Sequence, residues 1–305
     1  MSILSQSYLT GLNKGYVQVF ADGIAASGGP NMLVPDTCFP ESGAGFANVE
    51  YDYGAGVNIL TEVTDAAMQA AQNITTKQKT VDNKTFSRLI LLAREKLERK
   101  QGATYNRLFT QAGPAFALTK EKLLATRLAA GFGSFFVTSA TKKAPGKAAT
   151  FTNADTKKIS TTNFDTALAT LQSQTDTEGN PLGLGTDPSK LLLVVGPTYR
   201  KTAYNIVGSK LIGGGDDNAN AGVAKLKVWG QLVGSLAHHW FLLDTSVGKP
   251  FVDQDEVPVS MYMQTNPADS YVMQTGKFIS QIYWRGNIDL VEPQWCFGST
   301  GADAA

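Results

Sequence analysis

The chain is poor in the side chains that carry chemistry. Among its 305 residues are two cysteines, Cys38 and Cys296, and two histidines, His238 and His239. Two thiols at opposite ends of a chain make neither a zinc-ligand spacing nor a redox pair. One disulfide is arithmetically possible, but such sparse usage suits a reducing compartment. Charged residues are only 17% of the chain, against about a quarter in an ordinary globular protein. A surface so low in charge is expected to be covered by partners, because charge depletion marks the cores of interfaces. The 27 basic and 26 acidic residues leave a net charge of +1, which excludes general attraction to phosphate backbones or anionic membranes. No apolar run approaches the roughly 18 residues that span a bilayer. The first residues lack a basic segment followed by an apolar one, so no signal peptide is expected and the protein is expected to remain, or assemble, in a cytosol.

What is present is a core. Hydrophobic residues make up 43%, enough for one large domain or two of ordinary size and too many for a disordered chain. Residues 2–26 read as a helix, with Ile3, Tyr8, Leu12, Tyr16, Val19 and Phe20 near helical spacing, stopped by Ser27-Gly28-Gly29-Pro30. Residues 49–53 alternate as a strand does. Residues 81–100 suit either a buried strand or a helix. The stretch before them is long and without core character, which fits an arm covered by neighbouring subunits.

Residues 103–130 are the strongest helix candidate, with Tyr105, Leu108, Phe109, Phe116, Leu123, Leu124 and Leu128 on one broad face. Gly113-Pro114 interrupts it, and a kink or break is expected because Pro114 cannot donate to the Thr110 carbonyl. A helix opens near Thr162, with Leu168 and Leu171 on its apolar face. Residues 190–195 read as a buried central strand, followed by a short helix with Pro197 at an early position. Residues 223–233 and 239–243 read as further strands, and residues 272–297 as a terminal sheet. The class is α+β.

No constellation of acid, base and nucleophile stands out. Gly213-Gly214-Gly215 lacks the Gly-Lys-Ser/Thr ending of a P-loop and reads as a surface loop. Adjacent histidines in a strand point to opposite faces and cannot share a metal. Cys38 or Cys296, a histidine and Asp244 supply the raw residues of a catalytic triad, but no nucleophile elbow places them. Asp216 and Asp217 lack a calcium-loop spacing. Tyr271, Tyr283, Trp284, Trp295 and Phe297 lack interleaved Arg and Lys, which makes them core or subunit interface rather than a base-stacking platform. Lys142, Lys143, Lys147, Lys157 and Lys158 read as a solvated loop, with contact to nucleic acid as the sharper alternative. No catalytic, cofactor-binding or metal-binding residue is assigned, and no enzyme activity.

Five segments carry a resemblance. They are Pro181-Leu182-Gly183-Leu184, Leu192-Leu193-Val194-Val195-Gly196-Pro197, Trp240-Phe241-Leu242-Leu243-Asp244-Thr245-Ser246, Arg285-Gly286-Asn287 and Phe297-Gly298-Ser299-Thr300-Gly301. Together, in this order, they resemble the major head subunit of Mu-like bacteriophages, a tailed-phage major capsid protein of the Hong Kong 97 type. The resemblance covers residues 105–301 and carries little of residues 1–100. It implies an N-terminal arm over 1–36, an extended loop over 37–102, a peripheral domain with a long spine helix over 103–160, an axial domain over 161–262, and C-terminal peripheral strands over 263–305. Pro114 departs from the uninterrupted spine of the family.

The implied function is structural: self-assembly into hexamers and pentamers that close an icosahedral head around double-stranded DNA, touched only non-specifically. The implied partners are other copies, a separate scaffold, a portal and decoration proteins, with no membrane and no cofactor. The location is the virion, after assembly in the host cytoplasm. The alternative is an encapsulin-like nanocompartment enclosing an enzyme cargo. On this plan, removing residues 37–100 is expected to leave a soluble fold that cannot close shells.

Overall fold

The computed structural model describes residues 4–26, 32–42, 48–53, 77–99, 103–138, 141–142, 150–176, 179–211 and 216–302. In chain order, α1 (Gln6–Ala26) and α2 (Val34–Thr37) precede strands β1 (Cys38–Ser42), β2 (Asn48–Tyr53), β3 (Lys77–Asp82) and β4 (Lys84–Ala93). Then come α3 (Arg94–Glu98), α4 (Ala103–Ala130), the short strands β5 (Thr141–Lys142), β6 (Thr150–Phe151) and β7 (Ala154–Asp155), and α5 (Thr161–Gln172). The remainder is β8 (Leu191–Val195), α6 (Arg200–Ala203), β9 (Lys225–Val228), β10 (Trp240–Asp244), β11 (Phe251–Met263), α7 (Ser270–Thr275), β12 (Lys277–Leu290) and β13 (Cys296–Ser299). Among the described residues no helix is long and apolar enough to cross a membrane.

The α1 helix follows its periodicity. The Ser5 hydroxyl accepts from the Tyr8 N–H at 3.2 Å, satisfying an amide that the first turn leaves without a partner. Leu9, Tyr16 and Phe20 are buried against α4, where the Tyr16 and Phe109 rings lie 4.5 Å apart. Ile3 and the expected stop at 27–30 lie outside the described residues.

The α4 helix runs unbroken for 28 residues with Pro114 inside it, so the expected break is absent. Tertiary contact accounts for this. At Gly23, a Cβ would stand 2.7 Å from the Thr110 carbonyl oxygen, the acceptor that Pro114 cannot serve. The backbone of α1 thus packs against the weak point of α4. Of the apolar face expected for this helix, Leu108 is instead exposed.

Two sheets organise the rest. The first is four-stranded, ordered β1-β11-β12-β4, and the second five-stranded, ordered β7-β13-β10-β8-β9. The ambiguous residues 81–100 resolve into strand β4, antiparallel to β12, followed by α3. Both edge strands of the first sheet come from residues 37–102, where no core was expected, and Cys38, Val81, Leu92 and Leu97 are buried. The long antiparallel pairing of β11 with β12 draws residues 251–263 into the same sheet.

In the second sheet, β8 and β10 are buried at every residue. Their side chains alternate between two cores, as the period of a strand requires. Leu192, Val194, Phe241 and Leu243 join a cluster with Leu124, Leu128, Phe251 and Ile288 that bridges α4 and both sheets. Leu191, Leu193, Val195, Trp240 and Leu242 face the other way, onto Phe164, Ala167 and Leu171 of α5. A third cluster holds α1 and α4 on the inner face of the first sheet, through Phe109, Leu92, Phe278 and Ile282.

Two strand expectations are corrected. Residues 223–233 form a strand only over Lys225–Val228, because the chain then turns to bury Trp229 and Leu232. Residues 272–297 begin in helix α7, whose first turn is capped by Asp269 accepting from the Tyr271 N–H at 2.9 Å. The helix ends at Gly276, at φ 65°, a left-handed conformation that glycine adopts without steric cost. Cys296–Ser299, at the other end, pairs with β10 in the second sheet rather than with β12.

Candidate functional site

The residues of a conceivable triad do not assemble: Cys296 pairs with Leu243 beside Asp244, but the two histidines precede the opposite end of β10. Asp244 ends β10, wholly buried, and its carboxylate accepts from the Gly185 N–H and from the N–H and hydroxyl of Ser246. It is a pin for the loop leading into β8. His238 and His239 do not lie in a strand, as expected, but in the turn just before β10. Five residues of strand at about 3.3 Å each put His239 roughly 16 Å from Asp244. His238 Nδ1 lies 3.2 Å from the Tyr199 hydroxyl. The His239 ring packs edge-on against Phe132 at 5.3 Å, and burial pushes its pKa below the ordinary value. Cys38 and Cys296 are free and buried, and burial pushes both thiols well up. A buried neutral thiol is a poor nucleophile.

The other candidates are dispersed too. Gly213-Gly214-Gly215, Lys143 and Lys147 lie outside the described residues. Asp216 and Asp217 are exposed, and among the described residues no group of three His, Cys, Asp or Glu could hold a metal. Lys157 stands 3.9 Å from Asp155. Trp284 is buried, stacked on Phe86 at 4.8 Å, with its indole N–H donating to Asp255 at 2.6 Å. Phe297 packs on Trp240 inside the core, while Tyr271 is exposed.

Two neighbours on α4, passed over in the sequence, do the main electrostatic work. Glu121 is buried, and its carboxylate accepts from the Leu33 and Val34 N–H groups at 3.0 and 2.9 Å and from the Trp229 indole at 2.7 Å. One side chain thereby joins α2, α4 and the segment after β9. Lys120 donates to Asp253 at 2.8 Å and Asp255 at 3.0 Å, with its ammonium 5.1 Å from the Trp284 ring centroid. The signal available in the sequence was a Lys-Glu pair between Phe116 and Leu123 in the long helix, where charge that becomes buried is tolerated only with partners.

The surface itself is informative. β4 is an edge strand, and its Leu89 and Leu91 are 58% and 46% exposed. In register, Leu89 faces Gln281 and Leu91 faces Ile279, while Tyr262, 62% exposed, also pairs with Gln281. Cross-strand partners share a face, so Leu89, Leu91, Ile279 and Tyr262 lie on the outer face of the sheet around Gln281. Around the edge, between β4 and α4, runs a groove of about 670 Å³ lined by Phe86, Ile90, Leu108, Ala112, Phe116 and Trp284. The opposite edge, β1, carries Pro40, which has no N–H to offer an added strand and blunts it. The β4 edge has no such proline, and Lys84 and Arg88 stand on it beside the leucines.

No curated protein matches the chain. The fold is that of solved shells. One is the procapsid of bacteriophage JBD30, at 14% identity and TM-score 0.53 over 97% of this chain and 76% of that one. Another is the mature capsid of bacteriophage PhiM1, at 8% identity and TM-score 0.57 over 88% and 86%. A third is a virus-like particle from Pyrococcus furiosus, at 11% identity and TM-score 0.54 over 94% and 98%. The architecture is therefore the Hong Kong 97-type α+β fold. A family model described as phage capsid protein matches residues 75–286, and with more than half its length so matched, the chain belongs to the phage capsid protein family, whose members form shells as structural proteins of the virion.

Proposed function

We propose that this capsid protein is the major head subunit of a Mu-like tailed phage, assembling in the host cytoplasm into hexamers and pentamers that close an icosahedral head around double-stranded DNA. The observation that carries the reading is the exposed apolar face of Leu89, Leu91 and Tyr262 beside the open edge of β4. Burying such a surface between copies is worth about 25 cal/mol per Å². Several weak contacts per subunit, closed by symmetry, add up to a stable shell.

In this reading residues 1–36 are the arm, 37–102 the extended loop, 103–160 the spine-bearing part of the peripheral domain, 161–262 the axial domain, and 263–305 the returning peripheral strands. A scaffold, a portal and decoration proteins are separate chains. DNA is contacted without sequence preference, in keeping with a net charge of +1.

Electron microscopy of the overexpressed protein, alone and with its neighbouring genes, tests the proposal. Closed particles, tubes or free capsomers support it. A monodisperse monomer that stays single at high concentration with those genes present overturns it. Particles that copurify with an enzyme instead of DNA would favour the nanocompartment alternative.

A further inference from the structure

The group around Lys120 holds more than an ion pair needs. Lys120 reaches from α4 to β11, and its ammonium donates to Asp253 Oδ2 at 2.8 Å and to the two oxygens of Asp255 at 3.0 and 3.2 Å. The Lys120 and Asp253 side chains are only 13% and 14% exposed. The Phe116 and Trp284 rings wall the ammonium, with centroids 5.5 and 5.1 Å away, and the Trp284 indole N–H donates to Asp255 Oδ1 at 2.6 Å. An amine, a carboxyl carbon and a second carboxylate thus share one largely dry, aromatic corner. The second Asp253 oxygen, Oδ1, is buried and accepts no hydrogen bond among the described residues. A charged carboxylate is costly to leave there, and a neutral carbonyl much less so. Burial, the largest cause, raises the Asp253 pKa against the pull of Lys120, which favours the uncharged acid.

We propose that Lys120 and Asp253 join in an amide bond that the folded chain forms by itself, with Asp255 as the proton carrier. The ion pair first turns into its neutral form, as the ammonium passes one proton to the Asp253 carboxylate. The Lys120 Nζ lone pair then forms a bond to Asp253 Cγ. Asp255 takes a proton from that nitrogen and delivers it to Oδ2 of Asp253, the Cγ–Oδ2 bond breaks, and the oxygen leaves as water. Oδ1 stays as the amide carbonyl, and Asp255 ends as the carboxylate it was. One amine and one acid give one amide and one water, with nothing else consumed. Holding the reacting groups in contact acts as an effective concentration on the order of 10⁵ M or more in well-oriented cases, and a dry site disfavours the reverse hydrolysis. The bond ties α4 to β11 within one subunit. It goes beyond the shell reading and does not depend on it. A Lys120→Met chain cannot form it and keeps both carboxyls.

The test measures the intact mass of the full chain, denatured after prolonged incubation in its native state. The expected result is a chain lighter by one water, and a tryptic digest containing a branched peptide that joins Lys120 to Asp253. Lys120→Arg and Asp253→Ala should restore the full mass, and Asp255→Asn should slow the loss of water by about 100-fold. Full mass in the unaltered chain, loss of water without the branched peptide, or loss of water that persists in Lys120→Arg would each overturn the proposal. An Asp255→Asn chain that loses water at the unaltered rate would overturn the part given to Asp255. Should a variant fail to fold, the mass and digest of the unaltered protein decide alone.

Discussion

Gly23 of α1 and Gly113 of α4 meet backbone to backbone: a Cβ on Gly113 would stand 2.4 Å from the Ile24 amide nitrogen and 2.5 Å from the Gly23 carbonyl carbon. Neither helix can approach so closely with a side chain at that point. Gly113→Ala would gain about 1 kcal/mol of helix propensity and lose about 1–3 kcal/mol to overpacking. The net expectation is destabilisation, with α1 released first. Urea unfolding and limited proteolysis within residues 4–26 measure it. An unchanged midpoint and an undigested α1 would show that the crossing tolerates a methyl group.

Glu121→Gln replaces one acceptor oxygen with an NH₂ that faces donors. Losing a charge-assisted hydrogen bond and leaving a donor unpaired costs about 2–3 kcal/mol. The Trp229 indole resonance should move, since that N–H donates to Glu121 at 2.7 Å. A wild-type denaturation curve would remove Glu121 from its proposed role as a bolt.

The acid response of the Lys120 group has a defined sign. Burial, the largest cause, pushes the Asp253 carboxyl above its ordinary value against the pull of Lys120, and Asp255 adds to the rise. A folded-state pKa above the unfolded one gives stability that is complete below the ordinary carboxylate range and is lost as pH climbs through the folded value. Lys120→Met strands both carboxylates, at a cost of about 3–5 kcal/mol near neutrality, and mild acid should restore part of it by protonating Asp253. Thermal midpoints across pH 4–8 read this directly. A loss independent of pH would contradict the assignment. The groups facing Asp253 are Lys120, Asp255 and the neutral Cys38 thiol.

Both thiols are buried and held protonated. A thiol reagent should therefore react with neither Cys38 nor Cys296 in the native chain and with both after denaturation. Fast labelling of either in native protein would show that its site opens.

Leu89→Asp and Leu91→Asp place charge on the outer face of the sheet. Because both residues are exposed in the single chain, the stability of the subunit should change by no more than about 0.5 kcal/mol. Shell assembly should fail. These substitutions replace removal of residues 37–100, which would take buried Leu92 and Leu97 and both edge strands with it. Normal particles from the double variant would exclude this face as an interface.

The sequence was legible wherever burial and period coincide locally. Residues 190–195 read as a central strand because apolar residues follow one another without a break, and β8 is buried at every position. The early helix read correctly because its apolar residues recur on one side. The resemblance likewise rested on short segments of β8, β10, β12 and β13. Residues 81–100 were ambiguous because both periods fit Phe86, Ile90 and Leu92 until the partner strand is known. Val272 was misread because a helix of six residues carries too few turns to show its period.

By itself, the amino-acid order determined the class of the fold, the long helix, the buried strands and the scarcity of reactive side chains, since each depends on neighbours a few residues apart. Only the tertiary structure decided that Pro114 is harmless, that Cys296–Ser299 belongs with β10 and not with β12, and that Glu121 and Lys120 serve as fastenings. Those outcomes rest on partners far along the chain, such as Cys296 facing Leu243 across one ladder and Lys120 reaching Asp253. Which distant backbone fills a donor, an acceptor or a glycine gap is a property of the packed molecule, and no local pattern encodes it.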